Sequence, residues 1–219
     1  MASVNPIEYD GWWVELNTYF QTTDVRVYQP EQVQIDNMNK VYNYFIALGW
    51  TPNAIAGMLG NMMVESTVNP WLFQNRTLDW NNPSAIIADN GGMGLTQWTP
   101  CRKYYDWAVS SGLDPQSGNT MCDRIHYEQQ NNLQWSLENY GRHTWNDFIT
   151  STETPSILAD VFCWAYERPA SPDMDQRWQN AEWCYQNIHG SSTRIKIPIM
   201  LSCYKANKRK ELKPRCLRI

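Results

Sequence analysis

One carboxylate in this sequence stands at the end of a stretch of mostly apolar and small residues. Residues 52–65 read PNAIAGMLGNMMVE, and Glu65 is the acid that closes them. Further along, Gly91, Gly92 and Gly94 predict a tight turn. Cleavage of a glycosidic bond requires a proton on the leaving oxygen, and apolar surroundings favour the protonated form of a carboxyl group. The pattern therefore predicts a general acid at Glu65. The alternative is a Glu at the end of a helix that only lies on the surface or forms a salt bridge.

The helix that carries this acid has a clear predicted start. Thr51 can cap the helix, and Pro52 suits the first helical position because no N–H bond is needed there. Gly57 and Gly60 each lower helix propensity by about 1 kcal/mol relative to Ala. We therefore expect a neighbouring element to pack closely against these two glycines.

Hydrophobic spacing elsewhere predicts a mainly α fold with a small β element. Further helices are predicted from Pro30 to Gly49, from near Pro100, and over 119–140, 145–150, 154–166 and 173–188. In the helix over 119–140, the inward residues are expected to be Met121, Ile125, Leu133 and Leu137. We expect a loop over 70–90 and a short strand over Leu95–Trp98.

Two side chains of the predicted strand can contact a sugar. Gln97 can hydrogen-bond an N-acetyl or hydroxyl group, and Trp98 can stack on a sugar ring. The alternative for Trp98 is a place in the core. Glu167, which precedes Arg168 and Pro169, is interpreted as structural, and its alternative is a polar contact to the cleft.

The formal net charge of −4 is unevenly distributed along the chain. Residues 190–219 contribute +8, so the rest of the chain carries −12. An acidic body argues against nucleic acid as a partner. The basic tail has three interpretations, namely a flexible solvated tail, a segment that binds anionic wall polymers, and an irregular end of the reading frame.

The cysteines and histidines do not form a metal-binding pattern. The six Cys contain no Cys-x-x-Cys pair, the three His are scattered and no phosphate-binding loop occurs, so we expect neither a metal nor a cofactor. Cys163 and Cys184 are predicted on neighbouring helices, where they either pair or stay buried free thiols. No apolar run is long enough to span a membrane, and the N-terminus lacks the pattern of a signal peptide.

Several motifs, taken together and in order, resemble the phage tail lysozyme family, a branch of the lysozyme-like fold. They are Gly49-Trp50-Thr51, Val64-Glu65-Ser66 with Asn69-Pro70, Gly92-Met93-Gly94-Leu95-Thr96-Gln97-Trp98, and Phe162-Cys163-Trp164-Ala165-Tyr166-Glu167-Arg168-Pro169. The resemblance covers roughly residues 35–189. It implies an α+β lysozyme-like domain that is mainly helical, with a small β-hairpin lining the active-site cleft.

The resemblance also indicates where a second carboxylate is to be sought. Asp89 lies between Glu65 and the glycine turn, and it resembles an acid of goose-type lysozymes that precedes a similar turn. Asp79 is the other candidate, and each is alternatively a turn-forming Asp. Lysozyme-like enzymes can also work with a single essential Glu. Some of these are lytic transglycosylases, in which a hydroxyl of the substrate replaces water.

The resemblance implies a glycosidase that cleaves the β-1,4 glycan strands of peptidoglycan. Such an enzyme acts from the phage tail, or after release at the host wall, when the genome enters or at lysis. Its expected partners are these glycan strands and phage tail or virion proteins. The alternatives are an inactive wall-binding or tail-assembly module, a lytic transglycosylase and a cell-wall peptidase. The predicted organisation is an N-terminal extension over 1–34, a catalytic domain over 35–189 and a basic tail over 190–219.

Overall fold

The fold is built from helices around one central, buried helix. The computed structural model describes residues 6–20, 30–138 and 143–190. The helices in these ranges are α1 (Gln32–Ala47), α2 (Pro52–Glu65), α3 (Pro83–Ala88), α4 (Arg102–Ser110), α5 (Gly118–Gln130), α6 (Trp145–Thr150), α7 (Pro155–Phe162) and α8 (Met174–Asn187). A π-helical turn over Cys163–Glu167 continues α7. The strands β1 (Ile7–Tyr9) and β2 (Trp12–Val14) form a small antiparallel sheet. The chain is therefore mainly α, as predicted.

Helix α2 lies at the centre and packs against α1, α6, α7 and α8. Its residues from Ala54 to Met63 are all buried. The Thr51 side chain accepts a hydrogen bond from the backbone N–H of Ala54, and Pro52 occupies the first helical position. The predicted start of α2 is thus confirmed, and Glu65 is the last residue of a helix that is buried from Ala54 to Met63.

Two glycines allow the neighbouring helices to approach α2 closely. A Cβ atom on Gly57 would lie 2.8 Å from the backbone carbon of Leu158 in α7. A Cβ atom on Gly60 would lie 2.7 Å from the backbone oxygen of Arg177 and 2.8 Å from the Cβ of Ala181, both in α8. The close packing predicted for these glycines is confirmed, and it explains why two poor helix formers occur in the central helix.

Gly60→Ala should lower the free energy of unfolding by about 1–3 kcal/mol, because the added methyl group overlaps the backbone of α8. Urea denaturation monitored by circular dichroism measures this change. Lys103→Ala, on the exposed face of α4, is the control and should stay within about 0.5 kcal/mol of the unchanged protein. If Gly60→Ala were as stable as this control, the close contact between α2 and α8 would be refuted.

The small sheet lies in the N-terminal segment and packs on the helices. Trp12 and Val14 are buried in the core. The backbone N–H of Trp13 donates to Asn37 of α1, and the Asn37 amide donates back to the carbonyl of Trp13. The indole N–H of Trp12 donates to Asn119 of α5 at 3.2 Å. The N-terminal residues thus lie across α1 and α5.

The predicted strand over Leu95–Trp98 is wrong, because this segment forms a turn. Gly94 has φ +76° and Gln97 has φ +48°, values that a strand does not tolerate. The pairing found nearby is a single antiparallel bridge between Phe73 and Met93. The hairpin expected at the cleft is therefore absent from this segment, and the two-stranded sheet of the described residues belongs to the N-terminal segment.

Two other boundaries differ from the prediction. The expected loop over 70–90 contains the short helix α3. The helix expected over 119–140 ends at Gln130, because Asn132 (φ +52°) and Gln134 (φ +63°) adopt left-handed conformations. Of the four residues expected to point inward in this helix, Met121 and Ile125 are buried. The other two are exposed, Leu133 to 40% and Leu137 to 50%.

The cysteines of the described ranges are free and buried; they are Cys101, Cys122, Cys163 and Cys184. The predicted alternative of buried thiols therefore holds for Cys163 and Cys184. The Cys184 sulfur lies 3.3 Å from the Met63 sulfur in the core, and burial raises the pKa of Cys163 to about 12. Cys203, Cys216 and the predicted basic tail from residue 191 onward lie outside the described residues.

The described part of the chain contains no helix with the length and apolar character needed to cross a membrane. The same residues contain no group of three or more His, Cys, Asp or Glu side chains arranged to hold a metal ion.

Candidate active site

Glu65 combines partial exposure with a fixed position. It is the last residue of α2 and lies two positions after a run of ten buried residues that ends at Met63, yet its side chain remains 18% exposed. Its Oε1 atom accepts a hydrogen bond from Nη2 of Arg177 at 2.6 Å. Glu65 is therefore in a salt bridge, as the alternative interpretation held, but its partner is a buried side chain of α8. One face of the carboxylate is held by protein and another is open to solvent.

The guanidinium of Arg177 is itself held on several sides. Its side chain is 1% exposed. Beside its bond to Glu65, Nη1 donates to Oδ1 of Asn61 at 2.7 Å and Nε donates to the carbonyl of Pro172 at 2.5 Å. The Asn61 amide in turn donates to the carbonyl of Ala159 in α7 at 3.0 Å. Glu65 is thus positioned by a hydrogen-bonded network that joins α2, α7 and α8.

Arg177 is not among the predicted site residues, although its spacing in the sequence contains a signal. Arg177, Ala181 and Cys184 have the spacing of one helix face, and all three are buried in α8. An Arg on an apolar stripe requires a partner, because an unpaired buried charge is costly. The spacing therefore predicts a buried acceptor for Arg177, but it does not show which residue that acceptor is.

A second acid, Glu167, lies in the same site. It closes the π-helical turn, and its Oε1 atom is enclosed by protein without a hydrogen-bond partner. Burial, and then the negative charge of Glu65, raise the pKa of Glu167 well above its usual range, while the charge of Arg177 acts in the opposite direction. The structural role predicted for Glu167 and its alternative, a polar contact to the cleft, both stay predictions.

The glycine-rich turn lies directly beside the end of α2. The Ser66 hydroxyl, next to Glu65 in the chain, donates to the carbonyl of Leu95 at 2.9 Å. The backbone N–H of Gly94 donates to the carbonyl of Leu72 at 2.9 Å. A Cβ atom on Gly94 would lie 2.8 Å from the Met121 sulfur, so both its positive φ and its surroundings require glycine. The glycine turn and the C-terminal end of α2 are therefore in direct contact through Ser66.

The side chain of Gln97 stabilises this turn by hydrogen bonds to two backbone carbonyl groups. Its side-chain amide nitrogen donates to the carbonyl of Gly94 at 2.9 Å and to that of Leu72 at 3.1 Å. Both bonds fix the backbone of the glycine turn. The sugar contact predicted for Gln97 stays a prediction, and the observed bonds give this residue a role in shaping the turn.

Trp98 lies in the core, so the prediction that it stacks on a sugar is corrected in favour of its alternative. It is 2% exposed, and its ring stacks on Tyr104 with centroids 4.8 Å apart. Its indole N–H donates to the hydroxyl of Tyr166 at 3.0 Å, and this hydroxyl donates to Oε2 of the buried Glu128 at 2.5 Å. A sugar ring needs an accessible aromatic face, which Trp98 does not offer.

Tyr166→Phe should lower the free energy of unfolding by about 1–3 kcal/mol, because it removes one hydrogen-bond partner each from Glu128 and the Trp98 indole inside the core. Thermal unfolding followed by calorimetry measures this loss. Tyr185→Phe removes the same hydroxyl from a side chain that is 42% exposed and serves as the control. Equal stability of the two variants would contradict the role given to the Tyr166 hydroxyl.

The two candidates for a second carboxylate both accept local backbone bonds. Asp89 accepts from the N–H of Gly91 at 3.1 Å and from the side-chain amide of Asn75 at 3.3 Å. Asp79 accepts from the N–H of Asn81 at 2.7 Å. These contacts are those of turn-forming Asp residues. Asp89 remains next to the glycine turn, and a catalytic role for it stays a prediction.

Known proteins are similar in sequence to most of this chain. Residues 36–188 match a protein family described as phage tail lysozyme. The chain is also 41% identical, over 162 residues, to morphogenesis protein 1 of Bacillus phage B103. This match covers 74% of the chain but only 42% of that relative, so the chain spans less than half of the relative's length. The family match contains the central helix, the glycine turn and the buried Arg. The chain therefore belongs to the phage tail lysozyme family.

Proposed function

We propose that the protein is a peptidoglycan glycosidase that cleaves the β-1,4 bonds of the glycan strand, with Glu65 as the general acid. The observation that carries this proposal is the Glu65 carboxyl group, partly open to solvent and held at 2.6 Å by the buried Arg177. Membership of the phage tail lysozyme family supports the choice of substrate. The acidic sum of charges in the body of the chain supports an uncharged sugar polymer over a nucleic acid as substrate.

In this proposal Glu65 gives its proton to the glycosidic oxygen as the bond between that oxygen and the anomeric carbon breaks. Arg177 is a positioning residue, because it contacts the Glu65 carboxylate from the buried side. The turn fixed by Gln97 forms the wall beside Glu65. General acid catalysis of this kind contributes about 10²–10⁴-fold to a rate.

We propose Asp89 as the candidate for the second carboxylate. A glycosidase that inverts the anomeric centre needs a base for water, and one that retains it needs a nucleophile. Asp89 is the acid beside the glycine turn, and its bonds to Gly91 and Asn75 hold it in place. If the substrate's own hydroxyl replaces water, the reaction needs Glu65 alone and ends on a 1,6-anhydro sugar.

We place this activity in the virion tail or at the host wall. The names of the family and of the phage relative, tail lysozyme and morphogenesis protein, support this location. A phage tail that carries a glycosidase can open the wall where the genome enters. The proposed partners are therefore glycan strands and other tail proteins.

Mass analysis of digested peptidoglycan tests the proposal. The purified chain is incubated with intact wall material, and the soluble fragments are analysed for their ends. Free reducing sugars from cleaved β-1,4 bonds are the expected result. A 1,6-anhydro end would assign a transglycosylase, and new amino termini without glycan cleavage would assign a peptidase. Wall binding without any soluble fragment would identify the inactive module.

A further inference from the structure

The N-terminal segment is bonded to the residues that follow the C-terminal end of α2. The backbone N–H of Phe20 donates to the Thr67 hydroxyl at 3.0 Å, and the side-chain amide of Asn69 donates to the carbonyl of Thr18 at 2.9 Å. Because consecutive Cα atoms are about 3.8 Å apart, the Cα of Thr67 lies within about 8 Å of that of Glu65. This part of the N-terminal segment is therefore close to the candidate active site.

Asn17 joins the N-terminal segment to the loop between α2 and α3. Its side chain donates to the carbonyl of Leu78 at 2.6 Å and accepts from the backbone N–H of Phe73 at 3.2 Å. Nη1 of Arg76 donates to the backbone carbonyl of Asn17. Phe73 in turn forms the antiparallel bridge to Met93 of the glycine turn. Hydrogen bonds thus connect the N-terminal segment, this loop and the glycine turn.

Tyr19 and Arg76 form an exposed pair of side chains within this arrangement. The guanidinium carbon of Arg76 lies 4.4 Å from the centre of the Tyr19 ring and covers one face of it. Tyr19 is nevertheless 44% exposed, and Arg76 is exposed as well. Within the parts of the chain that the structure describes, no carboxylate forms an ion pair with Arg76. Solvent therefore reaches both an aromatic ring and a cation without an acidic partner in these parts.

The N-terminal segment does not depend on this pair to stay in place. The hydrogen bonds of Asn17 and Asn69 already attach it to the rest of the chain, and Trp12 is buried in the core. An exposed contact between a cation and an aromatic ring is weak in water. Tyr19 and Arg76 can therefore contact a ligand at little cost to the fold.

The two side chains together suit a sugar that carries a carboxylate. A tyrosine ring offers an apolar face on which a sugar ring can stack, and a guanidinium binds a carboxylate through charge-assisted hydrogen bonds. In peptidoglycan, every second sugar carries a lactyl group, whose carboxyl group is either free or linked to a stem peptide that has carboxylates of its own. Chitin, a polymer of N-acetylglucosamine, carries no carboxylate. Such a pair is expected to distinguish the two polymers.

We propose that Tyr19 and Arg76 form a substrate subsite next to Glu65, in which Tyr19 stacks on a sugar of the glycan strand and Arg76 binds a carboxylate carried by that strand. The inference rests on the proposed function for the identity of the strand. The subsite supplies the aromatic contact that the buried Trp98 cannot make. Tyr19 lies outside the matched residues 36–188, so the N-terminal segment adds this contact to the family domain.

The binding of three glycan ligands to the full chain tests the inference. The ligands are soluble peptidoglycan fragments with stem peptides, the same fragments after an amidase has removed the peptides, and a chitin oligosaccharide of equal length. All measurements use the Glu65→Gln chain as the parent, because a chain without the proposed general acid leaves the ligands intact. Isothermal titration calorimetry measures the dissociation constants.

Tyr19→Leu in this parent should weaken the binding of all three ligands about threefold to tenfold, because each contains sugar rings that lose an aromatic face. Tyr185→Leu removes a ring of similar exposure (42%) from α8 and is the matched control, which should bind like the parent. If Tyr19→Leu bound the ligands as tightly as Tyr185→Leu, the subsite would be refuted.

Arg76→Gln should weaken the binding of ligands that carry a carboxylate about tenfold and leave chitin binding unchanged. A loss confined to the fragments with peptides assigns the carboxylate to the stem peptide, and a loss that persists after amidase treatment assigns it to the lactyl group. Either pattern supports the inference. The loss should become smaller as the salt concentration is raised, because salt screens the charge of an exposed cation.

The control for Arg76→Gln is Arg102→Gln, which removes a cation that is 62% exposed on α4. Equal binding by these two variants, or an equal loss for chitin, would overturn the role given to Arg76. Arg76→Lys keeps the charge and should recover part of the lost binding. Circular dichroism establishes that the variants are folded. A parent chain that bound none of the three ligands would also overturn the inference.

Release of soluble fragments by the unchanged protein separates this inference from the proposed function. If the ligands bind through Tyr19 and Arg76 but the unchanged protein releases no fragment, the proposed function fails and the subsite stands. If the protein cleaves glycan while both substitutions leave the dissociation constants unchanged, the subsite fails and the proposed function stands.

Discussion

Glu65→Gln should reduce the rate of peptidoglycan cleavage by about 10²–10⁴-fold, the contribution of a general acid. The amide keeps the size of the side chain and an oxygen that accepts from Arg177, but it has no proton of suitable acidity to give. Release of soluble fragments from purified wall material, followed over time at fixed pH, measures the loss.

The control for this substitution is Asp106→Asn, which converts a carboxylate that is half exposed on α4 to an amide. It should leave the rate unchanged. Circular dichroism establishes that both variants are folded. A folded Glu65→Gln variant that kept the full rate would remove Glu65 from the mechanism, whatever the substrate.

Arg177→Met should have the largest effect on stability, a loss of about 3 kcal/mol in the free energy of unfolding. The substitution keeps a long side chain but leaves Glu65 without its cation and the buried Oδ1 of Asn61 without its donor. The rate of glycan cleavage should fall by about 10²-fold as well, since the position of Glu65 is no longer fixed. Urea denaturation and the fragment-release assay measure the two effects.

An exposed ion pair provides the matched control. Arg102 pairs with Asp106 at 3.8 Å on α4, and its side chain is 62% exposed. Arg102→Met should change the free energy of unfolding by less than about 1 kcal/mol, because such pairs contribute little in water. If Arg177→Met were no more harmful than Arg102→Met, the buried pair would not hold Glu65 in place.

Much of the helical framework could be predicted because its signals are local. Thr51 and Pro52 fix the start of α2 by hydrogen bonding and backbone geometry alone. Two of the errors lie where the backbone adopts left-handed conformations at residues other than glycine. Gln97 and Asn132 do so, and each ended an element that hydrophobic spacing had suggested. Hydrophobic spacing records which side chains are apolar but not which backbone angles tertiary contacts impose.

Only part of the candidate site can be predicted from the sequence, because some of its contacts depend on how the helices pack. Glu65 and the glycine turn are recognisable from neighbouring residues. Arg177 is 112 residues away from Glu65 in the sequence, and its contact with that acid exists only because Gly60 lets α8 approach α2. Glu167 reaches the same place through the π-helical turn after α7. Such partnerships depend on how helices pack, which residue spacing does not specify.

A crystal structure of the Glu65→Gln variant with a bound peptidoglycan tetrasaccharide tests the central claim most directly. We expect a glycosidic oxygen about 3 Å from the side-chain amide at position 65, with the sugar rings lying along the glycine turn. A glycan bound at another surface of the protein, with position 65 facing bulk water, would contradict it.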